Sequence, residues 1–307
     1  MQKRVRRAIA LAVPAVTAFF TEELYRYIFC RHSSALFDRL CDHKNGHSEA
    51  YYHFRSNASK HLQDLAAEEF TITSPRGEPL KGYYYACGAN GRKIAFILHG
   101  YRSNHADTAG MVYDYYQSRG IDVFCCDHTT TGESGGEFIG FDVLETQDCL
   151  AWLDFLRNKF GPDAQILLHG FSMGASTVLQ MSSHCTDNVK FLISDSAYQN
   201  ARASLDHQIG PLYQPLRQIN RMVAGYDWDD SDVTNSLAAC TLPILFVHGR
   251  DDKLVPFENG PALYNFYQGE KDYFFPEDTR HIESFYTSPQ EYGEKIDCFL
   301  ERYFQNQ

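Results

Sequence analysis

The chain has 307 residues, of which 44% are hydrophobic and 22% charged, an ordinary globular composition with apolar residues enough for one large core or two small ones. A formal net charge of −11, with no strongly basic stretch after the first seven residues, excludes a nucleic-acid binder and disfavours polyanionic partners. The nine cysteines include no C-x-x-C pair and no Cys/His set at zinc-ligand spacing, so they read as buried thiols of a reducing compartment or an anaerobic habitat rather than a disulfide framework.

Lys3, Arg4, Arg6 and Arg7 precede an uncharged stretch, 8–21, that includes Val16-Thr17-Ala18, a small-residue site of the kind cleaved after a signal. Fourteen residues fall short of the ~20 a membrane span requires, although the aromatic run 24–30 extends the segment towards an interfacial anchor. Residues 1–30 are therefore a signal, a membrane anchor or a helix packed on the domain. The first two readings imply membrane association through the N-terminus or export, the third a cytoplasmic protein. Residues 31–67, polar and rich in His, Ser and Asn, read as a linker or helical extension.

The main domain is expected over 68–307. It opens with two strands, 70–73 and 81–85, joined by the turn Ser74-Pro75-Arg76-Gly77-Glu78-Pro79. Short apolar runs follow at 93–98, 121–126, 165–168, 189–194, 244–247 and 273–275. Helical stretches separate most of them, notably 142–160, where Val143, Leu144, Leu150, Leu153 and Leu156 recur near helical spacing. Strands alternating with helices predict an α/β fold, a mostly parallel sheet covered on both faces, with reactive groups gathered at the strand C-termini. His99-Gly100-Tyr101, Asp127, Ser172, Asp195, Asp252 and His281 each follow one of the six apolar runs, so one sheet edge carries all of them.

Gly170-Phe171-Ser172-Met173-Gly174 lies between a strand-like and a helix-like run. A serine on so tight a turn needs small neighbours two residues away on each side, and the turn aims the first N–H groups of the helix at the reacting centre. Ser172 is the candidate nucleophile. Between 197 and 240 the alternation lapses, and such an insertion would sit over Ser172 as a cap. Its Tyr226 and Trp228 are the expected walls of an acyl pocket. The acidic run Asp227, Asp229, Asp230 and Asp232 lacks the glycine and terminal glutamate of an EF-hand loop, so no metal is expected.

An alcohol is a poor nucleophile at neutral pH and needs a base, which in turn needs an orienting carboxylate. Asp251 and Asp252 compete for the carboxylate role. His281 is the preferred base among 13 histidines, because it stands on a loop between the last strand and the last helix. His99, His169 and His248, each before a glycine at a strand end or turn, read as loop-fixing residues.

From about Phe70 onward the chain resembles the α/β-hydrolases, and among them bacterial serine esterases. The resemblance rests on His99-Gly100-Tyr101, Asp127 with Gly132-Glu133-Ser134-Gly135-Gly136, the turn 170–174, His248-Gly249-Arg250-Asp251-Asp252-Lys253-Leu254-Val255-Pro256, and His281, in the chain order Ser, acid, His. Within the superfamily it is similar to the small, often N-terminally anchored hydrolases of Gram-positive bacteria, with cinnamoyl and feruloyl esterases among the relatives. The resemblance selects Asp252 as the acid. It also implies backbone donors at Tyr101 and Met173 for the oxyanion, a small-molecule ester substrate and no cofactor. A serine peptidase or amidase, and a ligand-binding protein of low turnover, are the alternatives.

Overall fold

The computed structural model describes residues 18–33, 35–36, 47–88 and 93–304. Eight strands form one sheet: β1 (Glu68–Thr73), β2 (Pro79–Tyr85), β3 (Lys93–Leu98), β4 (Asp122–Cys126), β5 (Gln165–Phe171), β6 (Val189–Asp195), β7 (Ile244–Val247) and β8 (Lys271–Phe274). Their spatial order is β1-β2-β4-β3-β5-β6-β7-β8. The β1–β2 and β2–β4 pairs are antiparallel and the other pairs parallel. Every residue of β4, β5 and β7 is buried, which explains why these strands read as unbroken apolar runs rather than alternating ones.

Residues 18–29 form α1. The helices that follow are α2 (Glu49–Gln63), α3 (His105–Gln117), α4 (Val143–Phe160), α5 (Met173–Met181), α6 (Ala201–Ile209), α7 (Tyr213–Val223), α8 (Val233–Ala239), α9 (Asn259–Phe266), α10 (Ser284–Thr287) and α11 (Pro289–Tyr303). One face of the sheet packs on α4, α5, α8 and α9 through Trp152, Leu153, Val178, Leu237 and Leu263. The other packs on α2, α3 and α11 through Tyr51, Val112, Tyr116 and Ile296. A third apolar cluster joins α1 to the insertion between β6 and β7, which holds α6, α7 and α8, and includes Met173 of α5.

Of the two readings of 31–67, residues 49–63 take the helical one. Ser48 caps α2 by accepting from the Tyr51 N–H at 3.1 Å, and Tyr51 and Leu62 are fully buried. Of the N-terminal segment, residues 1–17 lie outside the described residues. The described part, α1, packs into the domain, and among the described residues no helix is long and apolar enough to cross a membrane.

Candidate active site

β5 ends at Phe171 and α5 begins at Met173, so Ser172 sits alone at the junction with φ 55° and ψ −121°. A non-glycine residue at positive φ is strained and persists only where its surroundings fix it. Here its N–H donates to the Asp195 carbonyl at 2.8 Å, and the flanking glycines admit no side chain. A Cβ at Gly170 would strike the Gly174 carbonyl, and one at Gly174 the carbonyls of Leu98 and His99. Gly100 is pressed against the serine itself, since a Cβ there would come 3.1 Å from the Ser172 Cβ.

The three distant polar residues converge. The Ser172 hydroxyl donates to His281 Nε2 at 2.8 Å, and His281 Nδ1–H donates to Asp252 Oδ2 at 2.7 Å. Asp252 Oδ1 accepts the N–H groups of Leu254 and Val255 at 3.0 and 2.9 Å. Burial alone would raise the Asp252 carboxyl, but His281 and His248 beside it, with their hydrogen bonds, hold it well below the usual carboxylate range. Asp251 is exposed, and its N–H donates to the Thr279 carbonyl on the loop that carries the imidazole.

Met173 opens α5, so its N–H has no partner within the helix and lies next to Ser172. Its side chain, 2% exposed, is packed in the cluster that α1 shares with the insertion. Tyr101 follows Gly100, and its hydroxyl donates to the Ile28 carbonyl of α1 at 2.8 Å. Arg102, at φ 51°, donates to the carbonyls of Tyr27 and Cys30. The loop beside Ser172 is thus bonded to carbonyls at the C-terminal end of α1.

With both antiparallel pairs at one edge, parallel strands elsewhere and the tight Ser172 turn between β5 and α5, the architecture is decided. The chain has the α/β-hydrolase fold. A family model described as serine aminopeptidase, S33, matches residues 89–226. YqkD of Bacillus subtilis, itself uncharacterised, is 26% identical over 78% of this chain and 81% of its own. Two solved structures are similar at the level of the fold. The esterase Pf2001 of Pyrococcus furiosus has a TM-score of 0.64 at 21% identity, covering 80% of this chain and 93% of that one. Est1E of Butyrivibrio proteoclasticus with ferulic acid bound has a TM-score of 0.59 at 19% identity, covering 76% and 98%. What these likenesses share with this chain is the α/β-hydrolase fold.

Tyr226 and Trp228, expected as pocket walls, are core residues instead. Trp228 is fully buried and stacks on Phe29 of α1, ring centroids 4.3 Å apart and planes at 13°, with Tyr213 edge-on at 5.7 Å. The Tyr226 hydroxyl donates to the Ile139 carbonyl. The reason is α1, which covers the aromatic face that would otherwise have been open. The acidic run is neutralised locally, because Arg217 pairs with Asp227 at 2.6 Å and with Asp229 at 2.7 Å, while Asp232 caps α8. Asp127 holds the loop after β4 by accepting from the His105 and Glu133 N–H groups, and Ser134, bonded to the Asp127 carbonyl, is buried beneath it.

Sequence reasoning missed the groups that brace the imidazole loop. Glu283, two residues after His281, accepts from His47 at 2.7 Å, and both side chains are buried. Tyr51 of α2 donates to the Ile282 carbonyl at 3.3 Å. His47 opens the described segment 47–88, and nothing in its spacing pointed to Glu283.

Proposed function

We propose that this α/β-hydrolase is a serine esterase that cleaves carboxylic esters in two acyl-transfer steps. Ser172 Oγ attacks the ester carbonyl as its proton passes to His281 Nε2, and the Asp252 carboxylate stabilises the resulting imidazolium. The Met173 and Tyr101 N–H groups receive the oxyanion, a contribution of about 2.7–4 kcal/mol per donor in comparable sites. His281 then returns the proton to the leaving alcohol. A water, deprotonated by the same imidazole, attacks the acyl-enzyme, and its collapse releases the acid and restores Ser172. A serine at the elbow, rather than a carboxylate, is the nucleophile for acyl transfer and not for haloalkane or epoxide opening.

The observation that carries this reading is the continuous Ser172–His281–Asp252 relay, at 2.8 and 2.7 Å, built on a strained turn. The test is turnover of aryl esters from acetyl to palmitoyl, and of a feruloyl ester, by the full chain, with Ser172→Ala as blank. Sustained ester turnover that the substitution abolishes is expected. Because the matching family model is named for an aminopeptidase, aminoacyl anilides belong in the same panel. Turnover of those alone would replace the esterase reading with a peptidase one, and labelling by a serine-directed fluorophosphonate without turnover would indicate a ligand-binding protein.

A further inference from the structure

Cys126, the last residue of β4, His128, two residues beyond it, and Cys149, on the facing side of α4, bring two thiols and an imidazole together deep in the molecule. Their Sγ, Nδ1 and Sγ atoms all lie within 4.8 Å of one another, and the three residues are at most 1% exposed. No zinc-binding spacing announces this set, because the fold and not the local sequence assembles it.

The imidazole is oriented as a ligand. His128 Nε2–H donates to the His99 carbonyl at 3.0 Å, which leaves Nδ1 as an acceptor; the Cys149 thiol donates to it at 3.8 Å, in place of which a metal ion would bind both atoms. A metal-bound histidine characteristically fixes its tautomer in this way, by donating its other ring N–H to a carbonyl or carboxylate. Metal–sulfur and metal–nitrogen bonds of about 2.3 and 2.0–2.1 Å, at trigonal or tetrahedral angles, separate S from N by about 3.6–3.8 Å. The observed separation already falls at that value. Two thiolates and a neutral imidazole make a soft donor set that suits zinc or cuprous ion, whereas Mg(II) and Ca(II) prefer oxygen ligands, which this set does not supply.

We propose that Cys126, His128 and Cys149 form a buried site for one soft d10 cation, Zn(II) or Cu(I). Binding forms two metal–sulfur bonds and one metal–nitrogen bond, and the two thiol protons leave to solvent. With divalent zinc the two thiolates cancel the charge, so the filled site is neutral in its apolar surroundings. The site also bears on the loop beside Ser172. His128 N–H donates to His99 Nε2 at 3.0 Å, and His99 Nδ1 donates to the Gly100 carbonyl at 2.8 Å, so an ion that holds His128 stiffens the backbone preceding Tyr101.

The test is elemental analysis of full-length protein purified without a metal-affinity tag under reducing conditions, followed by refolding of metal-stripped protein with Cd(II) as a probe. About one zinc or copper per chain is expected, and the analysis itself separates the two ions. Cd(II) should add a thiolate-to-metal charge-transfer band and raise the melting midpoint of the wild type, whereas Mg(II) and Ca(II) should do neither. Cys149→Ser should abolish the band. Should that variant not fold, the wild-type midpoint and spectrum decide by themselves. Metal far below one per chain with no response to Cd(II), or a Cys126–Cys149 disulfide in the mass spectrum, would overturn the proposal.

Discussion

Of two adjacent aspartates only Asp252 meets the imidazole, because it is the one the chain buries. Asp252 is 5% exposed and accepts two backbone N–H groups as well as the imidazole, whereas Asp251 stays at the surface. Asp252→Asn should lower kcat for ester hydrolysis by about 10⁴, because the amide presents the wrong partner to His281 Nδ1. Asp251→Asn should leave kcat within about a factor of three, as surface substitutions usually do. Steady-state rates of the two variants check this, and a reversed order would transfer the role to Asp251. That Ser172 and His281 would come together was legible in the sequence because each stands at the end of an apolar run with a fixed neighbour, glycine two residues away for Ser172 and a short loop before the last helix for His281. Glu283 and His47 were not legible, since their contact spans 236 residues and neither sits in a pattern.

At the scale of elements, α1 is the part whose role the sequence left most open. It ends in carbonyls that Tyr101 and Arg102 take up, and its Phe29 stacks on Trp228 of the insertion, a contact worth about 0.5–1.5 kcal/mol beyond the area it buries. On the proposed reading, in which the Tyr101 N–H receives the oxyanion, Arg102 positions that donor through its bonds to the Tyr27 and Cys30 carbonyls. Arg102→Ala should reduce kcat about tenfold while KM for a short soluble ester stays nearly constant, the signature of a contact that matters in the transition state. Arg102→Lys should recover part of the loss. If KM rises and kcat does not change, the helix serves substrate binding and not the oxyanion loop. The insertion's aromatics were misassigned for the same reason that α1 was ambiguous. Composition says that Tyr226 and Trp228 cover something, and only the packed helix says that it is Phe29 and Ile139 rather than a ligand.

For the whole molecule, pH acts on stability through buried carboxyls of opposite tendency. Burial pushes Asp142, at the N-cap of α4, up to about 7, although Thr177 and Ser231 donate to it at 2.8 and 3.2 Å, and it pushes Glu145 up to about 7. In the unfolded chain both ionise near 4. Between those values the folded state binds more protons, so stability falls as pH rises through that window, and the loss is complete above about pH 8. Asp127 and Asp252 behave oppositely, because their folded carboxyls are held low. Their contribution is present above the ordinary carboxylate pKa and is lost as pH falls through the acid range. Thermal midpoints should therefore be higher near pH 5.5 than near pH 9, and Asp142→Asn, which keeps the shape and tolerates the αL conformation at φ 76°, should flatten that slope. An unchanged slope would mean that these carboxyls ionise normally. The sheet itself was readable almost strand by strand, since β3 and β7 coincide with their apolar runs. The helix over 49–63 was not, because only Tyr51, Ser59 and Leu62 face inward, too few to set a period.

The contact between Phe29 and Trp228 also has a consequence in time. On a ribosome that adds about 5–20 residues per second, α1 emerges some 200 residues before the tryptophan it stacks on, a wait of about 10–40 s. The first helix among the described residues thus completes its packing late in synthesis. Phe138 and Phe141, which pack on Tyr25 and Phe29, arrive about halfway through that wait, so the helix can gain part of its seat before the insertion completes it.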